Sequence, residues 1–108
     1  MIARVWSGTT SEANADAYVA HLRERTFPGL QSIAGHRGAF VLRRVEASRV
    51  LFTVVTLWES IDAIRDFAGD DAEAAVVPAE ARALLTSFDR RAVHWDVALD
   101  NPAHAGAK

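Results

Sequence analysis

The stretch that decides the fold runs Val50-Leu51-Phe52-Thr53-Val54-Val55-Thr56-Leu57-Trp58. It does not alternate between apolar and polar residues, and Thr53 and Thr56 are its polar positions. A strand of this composition is buried on both faces. In a two-layer domain, helices cover one face of the sheet, and a chain this short has no second sheet for the other face. We therefore predict that a second copy of the chain covers it, forming a homodimer.

Three further strands are predicted around this stretch. The first spans Ile2 to Ser7 and stops at the turn-forming run Gly8-Thr9-Thr10-Ser11. The second, Ala39 to Arg44, joins the central stretch through a polar hairpin turn. In the last strand the apolar residues alternate with small and polar ones, which predicts one apolar face. These apolar residues are Val93, Trp95, Val97 and Leu99.

Helical regions are predicted after the first and third strands. Thr9 or Thr10 is the expected N-cap of the first, whose apolar residues keep helical spacing until Pro28-Gly29 ends its regular part. Leu30 and Ile33 are expected to add one more apolar turn. Ser60 caps the second, which Gly69 stops. Short helices are then expected from Asp70 or Asp71 through Val76 and from Ala79 to Leu85. The order β-α-β-β-α-β predicts a ferredoxin-like α+β fold, an antiparallel sheet with helices on one face.

The composition limits the classes of partner. The chain has 108 residues, of which 50% are hydrophobic, a net charge of −2 and no cysteine. One domain is expected over residues 2–99, with a disordered tail over 100–108. The charges are mixed along the chain, so no nucleic-acid partner is expected, and no apolar run is long enough for a membrane span. Lack of cysteine and of a signal-peptide pattern favours a cytoplasmic location.

Aromatic and polar residues at two strand ends and on the first helix are candidates for a ligand site. Trp6 and Trp58 end neighbouring strands and could line one aromatic pocket, although packing in the core or at a dimer face explains them too. Asn14 and Tyr18 are four residues apart on one helix face and could bind a substrate oxygen. The simpler interpretation of Tyr18 is the aromatic member of the buried stripe of the helix.

A loop pair offers a second candidate. His36 and Arg37 stand between glycines, where they could contact an anionic or phenolic ligand, or form an ordinary surface pair. The four histidines, at positions 21, 36, 94 and 104, lack the spacing of a metal site, so no metal is expected. No nucleophile elbow, phosphate-binding loop or dinucleotide fingerprint is present, so any catalysis must use scattered residues or the reactivity of the substrate.

Several segments together resemble the antibiotic biosynthesis monooxygenase-like proteins of the dimeric α+β barrel superfamily. The resemblance runs from about residue 2 to 98, and its most specific parts are the Trp-Glu-Ser helix entry and the closing His-Trp-Asp-Val strand. The segments are Ile2 to Trp6, Asn14 to Tyr18, Gly35 to Gly38, Leu57 to Ser60, Ile64 to Phe67, and His94 to Val97.

The resemblance implies a cofactor-independent monooxygenase that acts on a small aromatic or polyketide-like compound. It implies catalytic roles for Asn14, Tyr18 and Trp58, and Trp6, His36, Arg37 and Phe67 are then the candidates for substrate binding. Some members of the superfamily degrade haem with an Asn, a Trp and a His ligand. The corresponding places here hold Trp6, Phe67 and Val76 or Val77, so haem degradation is not expected. The alternative function is a noncatalytic ligand-binding or stress-associated homodimer.

Overall fold

The computed structural model describes residues 1–103. Its elements follow in the order β1 (Ile2–Ser11), α1 (Glu12–His21), a π-helical turn (Leu22–Thr26), α2 (Phe27–Gln31), β2 (His36–Glu46), β3 (Arg49–Trp58), α3 (Ile61–Ala68), α4 (Ala79–Leu84), β4 (Leu85–Phe88) and β5 (Val93–Asp96).

The strands form one antiparallel sheet in the order β2-β3-β1-β4, with β5 also on β1. β1 and β3 pair over their whole length, from Ile2 opposite Trp58 to Ser11 opposite Arg49. β4 pairs with the end of β1 and β5 with its beginning, so the two act as one interrupted fourth strand. The predicted ferredoxin-like order is confirmed.

The fourth strand begins earlier than the sequence indicates. Leu85 was expected at the end of a helix, yet it starts β4. The chain then leaves the sheet over residues 89–92, and the Trp6 indole Nε1 donates to the Asp89 carbonyl at 2.7 Å in that interruption. A tertiary hydrogen bond to a side chain on another strand is not visible as a local sequence pattern.

β1 is longer than predicted because Gly8, Thr9 and Thr10 continue it. Gly8 is needed for close packing, since a Cβ there would lie 3.0 Å from the Trp6 indole and 3.1 Å from the Leu85 side chain. The N-cap of α1 is Ser11, not Thr9 or Thr10, and its side chain accepts a hydrogen bond from the Asn14 amide at 3.3 Å.

Two helix predictions are also corrected. The further turn expected at Leu30 is present as α2, but the regular part of the first helical region ends at His21 and not at Pro28-Gly29. A π-helical turn comes before the proline, and the Phe27 amide bonds to the Leu22 carbonyl five residues back. Residues 70–76 are not helical. There Ala74 bridges to Arg91, and the Arg91 guanidinium binds Asp71 at 2.9 and 3.0 Å. This pairing between distant parts of the same chain replaces the predicted local helix.

The two faces of the sheet differ in cover. The helices bury alternate residues of β3, from Val50 to Trp58, on one face. On the opposite face no element among residues 1–103 covers the sheet, and large apolar side chains are about half exposed. These are Phe40 at 48%, Leu42 at 54%, Val93 at 53% and Trp95 at 62%. Within one chain, β3 is therefore buried on one face only.

No helix of the described residues is long and apolar enough to cross a membrane. Residues 104–108 of the predicted disordered tail lie outside the described residues, and residues 97–103 form no regular element. The boundaries of the domain therefore stay a prediction.

A buried hydrogen bond on β3 gives a direct test of the packing. The Trp58 indole Nε1 donates to the Thr56 hydroxyl at 2.8 Å, and Trp58 is fully buried. Thr56→Val keeps the side-chain shape but leaves the indole N–H without its partner, so the free energy of unfolding is expected to fall by about 1–3 kcal/mol. Urea unfolding followed by tryptophan fluorescence measures this change.

The matched control is Thr86→Val. The Thr86 hydroxyl also donates a hydrogen bond, at 3.0 Å to the Thr9 carbonyl, but it is exposed and water can replace the bond. An equal loss of stability in both variants would contradict the importance of the buried Thr56–Trp58 pair.

Candidate functional site

A small chamber lies between the helix face of the sheet, α1 and the segment before α4. Its volume is about 50 Å³, and most of its walls are apolar. The lining residues are Trp6, Tyr18, His21, Leu22, Thr26, Phe27, Leu30, Val54, Thr56, Phe67, Val76, Val77, Pro78 and Ala81.

An outer cleft of about 340 Å³ leads to this chamber. The two share their walls at His21, Thr26, Leu30, Phe67, Val76 and Pro78. The cleft adds charged side chains at its rim, Arg25, Asp66 and Glu80, none of which was a candidate from the sequence. Together they give one site with a polar entrance and an aromatic interior.

Tyr18 places a phenol in the chamber. Its ring is held by edge-to-face contact with Phe52, with 4.9 Å between the ring centres. Burial raises the pKa of the Tyr18 hydroxyl well above its usual value. A tyrosine hydroxyl is protonated at neutral pH even at its usual pKa, so Tyr18 can donate a hydrogen bond to an oxygen in the chamber.

His21 is the polar residue of the chamber that the sequence reasoning missed. Its Nε2 atom is buried and has no hydrogen-bond partner among the described residues. It lies three residues after Tyr18 on α1, so both side chains project from the same side of the helix. The spacing of three residues from Tyr18 is the signal in the sequence that points to His21. An unpaired imidazole nitrogen in a cavity can accept a proton or a hydrogen bond from a ligand.

The structure brings some of the other predicted residues to the chamber. Trp6 and Phe67 line it directly. Trp58 does not line it but stacks on Phe67, with 5.9 Å between the ring centres and 25° between the planes. Trp58 thus supports the chamber wall from behind. Of the two alternatives for the tryptophans, the pocket describes Trp6 and the core describes Trp58.

Three predicted residues lie elsewhere. His36 and Arg37 line a separate pocket of about 250 Å³ at the start of β2, where Arg37 forms an ion pair with Glu59. His36 packs edge-on against Trp58, and burial lowers its pKa. The side-chain amide of Asn14 donates a hydrogen bond from Nδ2 to the Leu84 carbonyl at 3.4 Å and so joins α1 to α4. Asn14 is not among the residues that line the chamber.

The chamber offers proton donors and acceptors, not a set of metal ligands. Within residues 1–103, no three His, Asp or Glu side chains are grouped as a metal site requires. The titratable groups of the chamber itself are Tyr18 and His21, which suit proton transfer and hydrogen bonding.

Comparison with known sequences gives distant relatives. No family model matches the chain. Two uncharacterized proteins of Mycobacterium tuberculosis, from strains CDC 1551 / Oshkosh and ATCC 25618 / H37Rv, are each 32% identical to it over 105 residues. The match takes in 92% of this chain and 42% of each relative, so the chain spans less than half the length of these proteins.

Comparison with solved structures gives the fold. A candidate antibiotic biosynthesis monooxygenase from Bacillus cereus has a TM-score of 0.65 at 14% identity, over 96% of this chain and 97% of that one. A MhuD variant, solved with two manganese protoporphyrin IX molecules per active site, has a TM-score of 0.61 at 20% identity, over 94% and 99%. The chain therefore has the fold of the antibiotic biosynthesis monooxygenase-like proteins, as the resemblance of its sequence predicts.

Proposed function

We propose that the chain is a cofactor-independent monooxygenase that oxidises a small hydroxylated aromatic or polyketide-like compound. The observation that carries the proposal is that two polar groups line the same largely apolar chamber. These are the protonated Tyr18 hydroxyl and the His21 Nε2 atom, which has no hydrogen-bond partner within residues 1–103. The fold supports a monooxygenase-like kind of protein, since a solved neighbour carries that name.

The reaction needs a base and an apolar cavity. His21 accepts a proton from the acidic CH₂ or hydroxyl group of the substrate, and the Tyr18 hydroxyl donates to the substrate oxygen that gains negative charge. The resulting carbanion reduces O₂ to a hydroperoxide, which loses water to leave a carbonyl. One oxygen atom ends in the product and the other in water, so the substrate supplies all four electrons.

The remaining predicted residues have supporting roles in this proposal. Trp6 and Phe67 contact the aromatic rings of the substrate, and Trp58 fixes the position of Phe67. Asn14 acts at a distance, by holding α4 against α1. His36 and Arg37 lie in a pocket of their own, so a role in substrate binding would require a ligand that also extends there.

Haem degradation is not the reaction proposed. Haem-degrading members of the superfamily use an Asn, a Trp and a His ligand. The corresponding positions here line the chamber and hold Trp6, Phe67, Val76 and Val77. None of these side chains ligates iron. Because His21 lines the same chamber, a haem titration is a direct check. We expect no shifted Soret band with a defined stoichiometry.

A noncatalytic ligand-binding or stress-associated homodimer is the second candidate. The inner chamber is only about 50 Å³, whereas ligand pockets commonly measure about 300–1,000 Å³. A ligand confined to the outer cleft of about 340 Å³ would bind without reaching Tyr18. Such a protein would show ligand-dependent quenching of tryptophan fluorescence and no oxygen uptake.

In either case we propose a homodimer that packs two sheets face to face. The support is the uncovered apolar face of the sheet, which Phe40, Leu42, Val93 and Trp95 share. A contiguous apolar face of this kind marks an interaction surface. A two-fold interface joins the same surface of two identical copies, so this face can pack against itself. The cytoplasmic location stays a prediction.

The first test of this function measures oxygen uptake with anthrone- and quinol-type substrates. The wild-type chain is expected to raise the rate above the spontaneous oxidation. His21→Gln should lower the enzymatic rate by about 10²–10⁴-fold because the base is lost, and Tyr18→Phe should lower it through the missing hydrogen bond.

The control for these variants is Arg23→Gln, an exposed change on the same helical region. It should leave the rate unchanged. Uptake that stays at the wild-type rate in His21→Gln would contradict the role of His21. No turnover of any substrate, with fluorescence quenching retained, would favour the noncatalytic function.

The second test concerns the open sheet face. Leu42→Asp places a charge among the half-exposed apolar residues and is expected to shift light scattering from dimer to monomer, because a buried unpaired carboxylate is costly. Ala13→Asp, on the exposed surface of α1, should leave the dimer intact. A wild-type monomer at micromolar concentration would contradict the proposed dimer.

A further inference from the structure

Arg4 is a buried arginine that the proposed reaction has not used. It lies on the helix face of β1 and is 5% exposed. Its guanidinium is 5.3 Å from the ring centre of Phe67, and it donates to the Ala74 carbonyl at 2.6 Å and the Ala72 carbonyl at 3.5 Å. A guanidinium in this position has lost most of its hydration.

No carboxylate within residues 1–103 neutralises Arg4. The acidic residues of the segment that it holds, Asp71 and Glu73, bind the exposed Arg91 instead. Opposite Arg4 on β5 stands His94, whose pKa is lowered by burial and by the charge of Arg4, so His94 stays neutral at pH 7. Carbonyl groups satisfy hydrogen bonds but leave the positive charge uncompensated.

The register of the sheet places this charge beside the chamber. Thr56 is directly opposite Arg4 on β3, and Trp6 is two residues further along the same face of β1. Both line the chamber, as does Phe67, which packs over the guanidinium. One layer of side chains therefore separates a buried cation from the space where a ligand would bind.

We propose that Arg4 is a positioning residue. Its fixed positive charge selects the ionised form of a phenolic or enolic ligand in the chamber. This inference rests on the proposed function and names its substrate class: an aromatic compound with an acidic hydroxyl, bound as the anion. A fixed cation near an apolar cavity lowers the pKa of a bound acid without contacting it. It acts through Phe67, and chemistry at the substrate remains with Tyr18 and His21.

A purely structural role predicts a different behaviour. Two carbonyl groups could be satisfied by a neutral amide donor, and burying a charge without a counter-ion is expensive. If Arg4 only fastened residues 72–74, a neutral donor would serve and the charge itself would have no effect on a ligand.

The experiment measures the pKa of bound 4-nitrophenol by its absorbance, because the ionised form absorbs in the visible. In the wild-type chain the pKa of bound 4-nitrophenol is expected to lie about 1 unit below that of the free compound. Arg4→Gln, which keeps a donor for the carbonyls, should abolish the shift. Arg4→Lys, which keeps the charge, should retain most of it.

The control variant is Arg65→Met, which removes an equal charge from the exposed surface of α3, where Arg65 pairs with Asp62. It should leave the shift unchanged. If circular dichroism shows that Arg4→Gln does not fold, Arg4→Met serves as the second neutral variant. The pKa shift in Arg4→Lys is interpreted separately, because this variant keeps the charge.

Two results would overturn the inference: an equal pKa of bound 4-nitrophenol in the wild type and in the neutral variant, or a wild-type chain that does not bind 4-nitrophenol. The proposed oxygenase can fail independently. A lowered pKa of the bound phenol without oxygen uptake would leave the role of Arg4 standing and remove the oxygenase.

Discussion

The pairing of β1 with β3 is the constraint on which the rest of the structure depends. Ten residues of each strand are in register, so every second side chain of both strands faces the helices and the others face away. A shift of β1 by one residue would move Arg4 and Trp6 to the open face and bring Val5 under the helices, while Thr56 on β3 would keep its place. The chamber and the open sheet surface are thus set by the same register.

The interior of the chamber combines apolar walls with a few placed polar groups. Tyr18 carries a phenolic hydroxyl whose pKa is raised by burial, the His21 Nε2 atom has no partner within residues 1–103, and Arg4 carries a positive charge on the far side of Phe67. In a medium of low polarity each of these acts more strongly on a ligand than it would in water. Their shared position, between the sheet and α1, makes the proposed chemistry a property of the fold rather than of a sequence motif.

Much of the fold was predictable, because periodicity and turn residues are local. The central strand, the hairpin before it, the Ser60 cap and the overall order are all recovered. Failures occurred where distant contacts override local preference: Gly8 stays in a strand that pairs with Phe52 on β3 and Phe88 on β4, and Ala74 bridges to Arg91 instead of joining a helix. Within the site, Trp6, Tyr18 and Phe67 were predicted by spacing and resemblance. His21 and Arg4 were not candidates, because the burial of the unpaired His21 Nε2 atom and the contact of the Arg4 guanidinium with the Ala72 and Ala74 carbonyls arise only in the folded part of the chain that the structure describes.

The central claim is that an aromatic ligand binds in the outer cleft of about 340 Å³ and reaches from there into the chamber between the sheet and the helices. A crystal structure of the chain with a hydroxylated anthraquinone, the product type of the proposed reaction, tests this most directly. We expect the rings to lie against Phe67 and Trp6, with an oxygen in hydrogen-bonding reach of Tyr18 and His21. A ligand found instead beside His36 and Arg37, or between the open sheet faces, would contradict the account.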